Sequence, residues 1–243
     1  MIPIGDDNVT RRTPVVNNAL LLANIAVFVY QLTLAGSQIE AFILTWAVRA
    51  SEVSALVGGD LSLLRQVLLT STAAMFIHGG WAHILGNMLF LWIFGDNVED
   101  NFGSLPYLVF YLLSGYSAVI VQTLLAPRSD VPMIGASGAI SGVLAGYLLL
   151  YPRAAVRAVL PLPILFLLPF FVPAWLMIIV WFASQLLNGY ASLTDAAQVA
   201  GGVAYGAHVG GFVAGLMLTG IFRNPTRSPR YMDYERNRRY YRR

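Results

Sequence analysis

The sequence predicts an all-α, polytopic membrane protein whose core is a bundle of six transmembrane helices. The first observation is composition: 57% of the 243 residues are apolar and 11% are charged, whereas a soluble domain carries about 25% charged residues. The second is that apolar stretches recur at roughly the 20-residue length that a helix needs to cross a bilayer. The chain contains no cysteine, which excludes disulfides and thiolate chemistry.

Six apolar stretches account for the predicted helices, and they cover residues 15–34, 82–97, 105–126, 133–151, 164–187 and 203–222. The second stretch is short for a bilayer crossing. The fifth belongs to a longer apolar run, residues 154–183, which contains prolines at positions 161, 163, 169 and 173. Since prolines mark boundaries more often than helix interiors, we interpret residues 154–163 as an interfacial segment that leads into the fifth helix.

The distribution of arginine predicts the orientation of the bundle. The chain contains no lysine, so all fifteen basic residues are arginines. Six spans put both termini on one side, and that side then holds twelve of the fifteen arginines. Because positive charge is enriched on the cytoplasmic side of membrane proteins, both termini are predicted to be cytoplasmic.

The predicted organisation has a cytoplasmic N-terminal segment (residues 1–14), a six-span domain (15–222) and an arginine- and tyrosine-rich cytoplasmic tail (223–243). Within the domain, residues 36–70 form a long external loop whose mixed apolar and charged side chains predict a helix lying in the interface. We interpret the tail as a solvated segment beside anionic lipid headgroups and expect no nucleic-acid partner; the alternative is a tail that binds RNA or a partner.

Two polar side chains lie among glycines in separate predicted spans. Ser137 is at the start of the fourth span, and His208 is near the start of the sixth. Polar groups are costly inside a bilayer, so the presence of both residues indicates a specific role for them. Both spans enter from the external side, and His208 lies roughly 8 Å into its helix at a rise of 1.5 Å per residue, so the two depths are similar. A hydroxyl and an imidazole base are parts of a serine hydrolase; the alternative for Ser137 is a hydroxyl bonded to its own helix.

Glycine spacing predicts that these two helices pack closely. The glycines are Gly138, Gly142 and Gly146 in the fourth span, and Gly202, Gly206, Gly210, Gly211 and Gly215 in or beside the sixth. Small residues four positions apart let helix backbones approach one another. A hydrogen bond between a serine and a histidine on two helices needs that approach.

A third polar group lies at the start of the second span. His83 and Asn87 are four residues apart and therefore share one helix face. They are either a donor pair for a developing oxyanion or a polar pair that holds two helices together. His78 precedes the helix, and we interpret it as a hydrogen-bonded structural histidine of the loop. The spacing of five between the histidines and the lack of nearby carboxylates argue against a metal site, and no cofactor is expected.

His208, the candidate base, has no obvious carboxylate partner in the sequence. Asp195 lies thirteen residues before His208, in the preceding loop, and no acidic residue stands at helical spacing from the histidine. The sequence therefore predicts a Ser–His dyad. Ser141 is the rival nucleophile, and Ser137 is preferred because it fills the Gly-x-Ser-Gly position near the external end.

Together these segments resemble the rhomboid family of intramembrane serine proteases. The matching blocks are residues 78–87 (HGGWAHILGN), residues 135–138 (GASG) and residues 207–211 (AHVGG) with Gly215. The resemblance implies a rhomboid-like fold with Ser137 as nucleophile, His208 as general base, and an oxyanion hole made by the Ser137 N–H with His83 and Asn87. Some members stack an aromatic residue on the base from the position held here by Ser141; Tyr205 is the candidate replacement.

The implied activity is endoproteolysis of transmembrane protein substrates within the lipid bilayer, near their external ends. The alternatives are a catalytically inactive relative that binds membrane helices and, less favoured, a small-solute transporter, which would need an internal repeat that the sequence lacks. We expect a multi-pass protein of a prokaryotic plasma membrane.

Overall fold

The computed structural model describes residues 1–160, 168–192, 204–225 and 227. This part of the chain is mostly helical, as predicted. Its helices, in chain order, are α1 (Val15–Thr33), α2 (Ser37–Trp46), α3 (Ala50–Val57), α4 (Leu64–Ala74), α5 (Trp81–Phe102), α6 (Ser104–Leu125), α7 (Ser137–Leu150), α8 (Ala174–Ser192) and α9 (Tyr205–Phe222).

Each of the six predicted spans corresponds to a helix, namely α1 and α5 to α9. Among the described residues, α1, α6 and α9 are long and apolar enough to cross a membrane. The helix α7 and the first part of α8, Ala174–Gly189, are shorter apolar helices. The helix α5 has 22 residues and carries its acidic side chains near its C-terminal end. The chain is an integral membrane protein.

The second span is longer than predicted. The prediction ended it at residue 97, whereas α5 continues to Phe102. The buried carboxylate of Glu99 accepts hydrogen bonds from the backbone N–H groups of Val16 (3.0 Å) and Asn17 (2.6 Å), in the first turn of α1. The first N–H groups of a helix have no partner within it, so Glu99 caps α1 from a neighbouring helix and has a structural role.

Residues 36–70 contain more helix than the single interfacial helix that was predicted. They form α2, α3, a 3-10 turn at Leu61–Leu63 and the start of α4. The helix α2 buries none of its residues. Arg49 holds the junction between α2 and α3, because its guanidinium donates to the Leu44 carbonyl at 2.8 Å and pairs with the Glu52 carboxylate at 2.9 Å.

A three-stranded antiparallel sheet was missed by the prediction. Its strands are β1 (Ile2–Asp6), β2 (Ala155–Val159) and β3 (Phe170–Pro173), with β2 in the centre. The predicted interfacial segment, residues 154–163, is therefore largely a strand, and residues 161–163 lie outside the described residues. Burial alternates over residues 156–158 of β2, where Val156 and Ala158 are buried and Arg157 is exposed, which is the periodicity of a strand.

The fifth span begins later than predicted. The prediction started it at residue 164, but residues 170–173 are extended and α8 begins at Ala174; residues 164–167 lie outside the described residues. Proline lacks an N–H and pushes the preceding residue out of the helical region, which explains why α8 begins only after Pro173. The first N–H groups of α8 bind loop carbonyls instead, from Ala174 to Ala154 (2.9 Å) and from Trp175 to Pro152 (3.0 Å).

The N-terminal strand is joined to the helices by Asp6. Its carboxylate accepts hydrogen bonds from the Tyr147 hydroxyl and from the Asn97 amide (3.2 Å). Burial raises the pKa of Asp6 to about 7, although the Tyr147 hydrogen bond opposes this, and the nearby Asp96 carboxylate adds to the rise. The predicted N-terminal segment is thus packed into the fold. Beyond 223–225 and 227, the predicted tail lies outside the described residues.

The helices α6, α7 and α9 meet at glycines. A Cβ atom on Gly211 would lie 1.9 Å from the Gly138 carbonyl oxygen, and one on Gly215 would lie 2.5 Å from the Gly142 backbone. A Cβ on Gly142 would lie 2.3 Å from the Ser114 hydroxyl of α6. Close approach of the backbones therefore requires glycine at these positions.

Gly206 and Gly210 of α9 face a different helix from the one predicted. Hypothetical Cβ atoms on Gly206 and Gly210 would meet side chains of α6, Leu125 and Val121 respectively, each at 2.5 Å. Gly206 and Gly210 allow α6 to pack closely, whereas Gly211 and Gly215 allow α7 to do so. The prediction that the 206 and 210 positions face α7 was wrong, and Gly202 lies outside the described residues.

Candidate active site

Ser137 is the first residue of α7, directly after a tight turn. Gly135 has a φ of +116°, which favours glycine, and its N–H donates to the Ala74 carbonyl at 2.8 Å. Ala136 is the N-cap. The backbone N–H of Ser137 is therefore one of the helix-terminal donors that have no partner within α7.

His208 lies in the first turn of α9, within reach of Ser137. The Ser137 Oγ and His208 Nε2 atoms are 2.7 Å apart, although the two residues are 71 positions apart in the chain. The His208 side chain is buried and Ser137 is half-buried. The structure brings together the two residues that the sequence singled out as nucleophile and base.

Ser141, the rival nucleophile, has a different environment. It is fully buried, and its hydroxyl donates to the Ser137 carbonyl at 2.6 Å within α7. This is the bond to its own helix that was considered as the alternative for Ser137.

His83 and Asn87 lie on one face of α5, beside the turn that precedes Ser137. A Cβ on Gly135 would lie 2.6 Å from His83 Nε2 and 3.7 Å from Asn87 Nδ2. His83 Nδ1 accepts the Gly79 N–H at 3.3 Å, so the neutral ring carries its proton on Nε2. Two side-chain donors therefore border the Gly135 backbone, two residues before Ser137.

His78 has the contacts of a structural residue. Its backbone N–H and carbonyl bind the side-chain amide of Gln31 on α1, at 3.1 and 2.9 Å. Burial, with the neighbouring His83 ring, lowers the pKa of His78 to about 4, so the ring is neutral. Asn87 Nδ2 donates to His78 Nε2 at 2.9 Å, which orients the Asn87 amide and leaves its second N–H free to point elsewhere.

Sequence reasoning missed two residues that contact His208. Gln185 of α8 lies with its Oε1 atom 2.8 Å from His208 Nδ1. The Trp181 ring lies 6.0 Å from the His208 ring at 37°, whereas Tyr205 lies 6.2 Å away, edge-on at 89°. The sequence signal that could have identified them was a glutamine inside an apolar span, four residues after a tryptophan. Asp195 lies outside the described residues.

The arrangement is suited to acyl transfer. A serine hydroxyl faces an imidazole nitrogen, and two side-chain N–H donors of α5 border the Gly135 backbone, two residues before that serine. Within the described residues, no group of three or more His, Cys, Asp or Glu side chains is arranged to hold a metal ion.

Comparison with known proteins finds similarity to rhomboid proteins. A family model described as Rhomboid domain matches residues 65–225. Rhomboid-like protein 11, chloroplastic, of Arabidopsis thaliana is 42% identical over 72 residues, which are 30% of this chain and 25% of that protein. Rhomboid protease GluP of Bacillus subtilis is 40% identical over 72 residues, 30% of this chain and 14% of that protein. The chain thus matches a quarter or less of the length of these relatives.

Proposed function

Since the chain belongs to the rhomboid family, we propose that it is an intramembrane serine endopeptidase that cleaves transmembrane helices near their external ends. The family includes serine proteases, among them the Bacillus subtilis relative. The observation that carries the proposal is the 2.7 Å contact between Ser137 Oγ and His208 Nε2 at the first turns of two neighbouring helices.

In the proposed mechanism Ser137 Oγ attacks the carbonyl carbon of the scissile peptide bond, and its proton moves to His208 Nε2. His208 then gives this proton to the leaving amine as the carbon–nitrogen bond breaks. Water attacks the resulting ester in the second half of the reaction, again with His208 as base. The two half-reactions restore the serine and release both product chains.

The oxyanion of each tetrahedral intermediate would be held by the Ser137 N–H, His83 Nε2–H and the Asn87 amide. The Ser137 N–H lies at the N-terminus of α7, where the helix dipole favours negative charge. His83 has its proton on the nitrogen that faces Gly135, as the Gly79 contact requires. Each donor of this kind is worth about 10²–10³ in rate.

A transmembrane helix must unwind locally before it can be cleaved, because its carbonyls are hydrogen-bonded within the helix. Substrates with glycine or other weak helix formers near the scissile bond should therefore be preferred. Under the proposed orientation, with both termini cytoplasmic, the dyad lies below the external surface of a prokaryotic plasma membrane and needs no cofactor.

Cleavage of a single-span substrate by purified protein in liposomes tests the proposal, with Ser137→Ala and His208→Ala beside wild type. Both variants should lose at least about 10³-fold in kcat. Ser141→Ala is the matched control and should retain activity, because its hydroxyl binds its own helix. A folded wild type that cleaves none of several substrates but binds them would favour the inactive helix-binding protein. Activity that survives Ser137→Ala would refute the mechanism.

A further inference from the structure

The side-chain amide of Gln185 is held in one orientation by its own helix. Its Nε2 atom lies 3.2 Å from the Trp181 carbonyl oxygen and 2.9 Å from Ser184 Oγ. The carbonyl can only accept, and Ser184 uses its own hydrogen in a 2.6 Å bond to the same carbonyl. Both neighbours are therefore acceptors, and the NH₂ group of Gln185 must face them.

This orientation determines which nitrogen of His208 carries the proton. With the NH₂ group turned to its own helix, Gln185 presents Oε1 to His208 Nδ1 at 2.8 Å. An amide oxygen only accepts, so the neutral ring must carry its hydrogen on Nδ1. Nε2 is then unprotonated and accepts the Ser137 hydroxyl at 2.7 Å, which is the tautomer that a general base needs.

We propose that Gln185 is a positioning residue, which selects the Nδ1–H tautomer of His208 and aims Nε2 at Ser137 through an uncharged acceptor. This inference rests on the proposed proteolytic function and adds a third residue to the dyad. An amide suits a bilayer better than a carboxylate does, because it supplies the acceptor oxygen without burying a charge. Gln185 is itself buried.

The tautomer is measured directly by ¹⁵N NMR of the histidine rings, because the chain contains only three histidines. The His208 signals are assigned by their loss in His208→Ala. At neutral pH the wild type should show a protonated Nδ1 and an unprotonated Nε2, and Gln185→Met should shift this population toward Nε2–H. A wild-type ring protonated on Nε2, or a tautomer that Gln185→Met leaves unchanged, overturns the inference.

Activity provides the second readout. Gln185→Met keeps the side-chain length but removes the acceptor, and a buried N–H without an acceptor is disfavoured by a factor of about 10–100. We expect kcat to fall about 10–100-fold with KM unchanged. Gln185→Glu, with a protonated carboxyl group that turns its O–H to the Trp181 carbonyl and its other oxygen to Nδ1, should retain most of kcat together with the Nδ1–H tautomer.

Gln122→Met is the matched control, since it removes a glutamine from α6 that binds the Ala207 N–H at 3.2 Å and does not contact the ring. It should leave kcat within about threefold. A wild type without protease activity would refute the proposed function, and the NMR measurement would still decide the role of Gln185. An active wild type with a fully active Gln185→Met would refute the positioning role alone.

Discussion

At the scale of single residues, two buried polar side chains of α1 bind partners from other parts of the chain. Asn17 donates to the Leu91 carbonyl at 3.2 Å and accepts the Tyr107 hydroxyl at 2.8 Å. Gln31 binds the backbone of His78. Since water is absent from the bilayer core, a polar group there is tolerated when the protein itself satisfies it.

Gly135 is the residue whose substitution should affect the proposed oxyanion donors most directly. A Cβ there would lie 2.6 Å from His83 Nε2, and its φ of +116° disfavours any other residue. We expect Gly135→Ala to lower kcat about 10²-fold or more, because the methyl group displaces the donors. Gly80→Ala is the control, since a Cβ at Gly80 meets nothing within 4 Å. Equal kcat in the two variants, measured on one substrate, would contradict the assignment.

The raised pKa of Asp6 predicts a pH-dependent stability. The folded pKa of about 7 lies above the ordinary value of 3.8, so the folded state binds the proton more tightly than the unfolded state. The free energy of unfolding therefore falls as pH rises from about 4 to about 7. Asp6→Asn stays neutral and should remove this contribution.

The apparent melting temperature in detergent, measured from pH 4.5 to pH 8, tests this expectation about Asp6. The difference between Asp6→Asn and wild type should shift in favour of the variant as pH rises. Asp60→Asn changes an exposed aspartate and serves as the control. A difference that does not vary with pH would refute the explanation.

At the scale of elements, α9 packs against two helices through two sets of glycines. Gly206 and Gly210 allow α6 to pack closely, while Gly211 and Gly215 allow α7 to do so. Side chains on a helix are about 100° apart, so adjacent glycines at 210 and 211 face different neighbours. The first turn of α9, which carries His208, is thereby held beside the first turn of α7.

Gly211→Ala should separate α7 from α9. Its methyl carbon would lie 1.9 Å from the Gly138 carbonyl oxygen, and overpacking of this kind costs about 1–3 kcal/mol. We expect a lower melting temperature and a loss of proteolysis, because Ser137 and His208 lie on these two helices. Gly220→Ala, in the same helix, is the control, since its Cβ meets nothing within 4 Å. A Gly211→Ala protein as stable and active as Gly220→Ala would contradict this packing.

At the scale of the whole molecule, the bundle has two different ends. The starts of α7 and α9 bring Ser137 and His208 together at one end. At the other end, Asp6 of β1 is hydrogen-bonded to Tyr147 near the C-terminal end of α7, and Glu99 caps α1. The catalytic candidates and the sheet are thus separated by the length of α7.

The orientation of these ends is tested by single cysteines, because the natural chain has none to give background. Val57 in α3 is 81% exposed and Val9 is 86% exposed. With both termini cytoplasmic, Val57→Cys should react with a membrane-impermeant maleimide in intact cells. Val9→Cys should react only after permeabilisation. The opposite pattern would reverse the proposed topology and put the dyad on the cytoplasmic side.

The sequence by itself determined the membrane class, the order of the apolar helices and the family, because hydropathy and short motifs are local properties of the chain. It also singled out Ser137, His208, His83 and Asn87, whose catalytic roles stay predictions. It misjudged the end of α5 and missed the sheet, since Glu99 contacts α1 and β1 pairs with β2 only in the folded chain. It also misjudged the start of α8, although Pro173 was a local signal in the sequence.

Only the tertiary structure decided which of these residues meet. The rotation of α9 about its axis assigns its glycines to two neighbours, and the position of α8 brings Gln185 to His208 across 23 residues of sequence. Neither follows from spacing along one helix, because the relative rotation and depth of two helices result from packing over their whole contact. The tautomer of the base, on which the proposed chemistry depends, is therefore a property of the folded bundle.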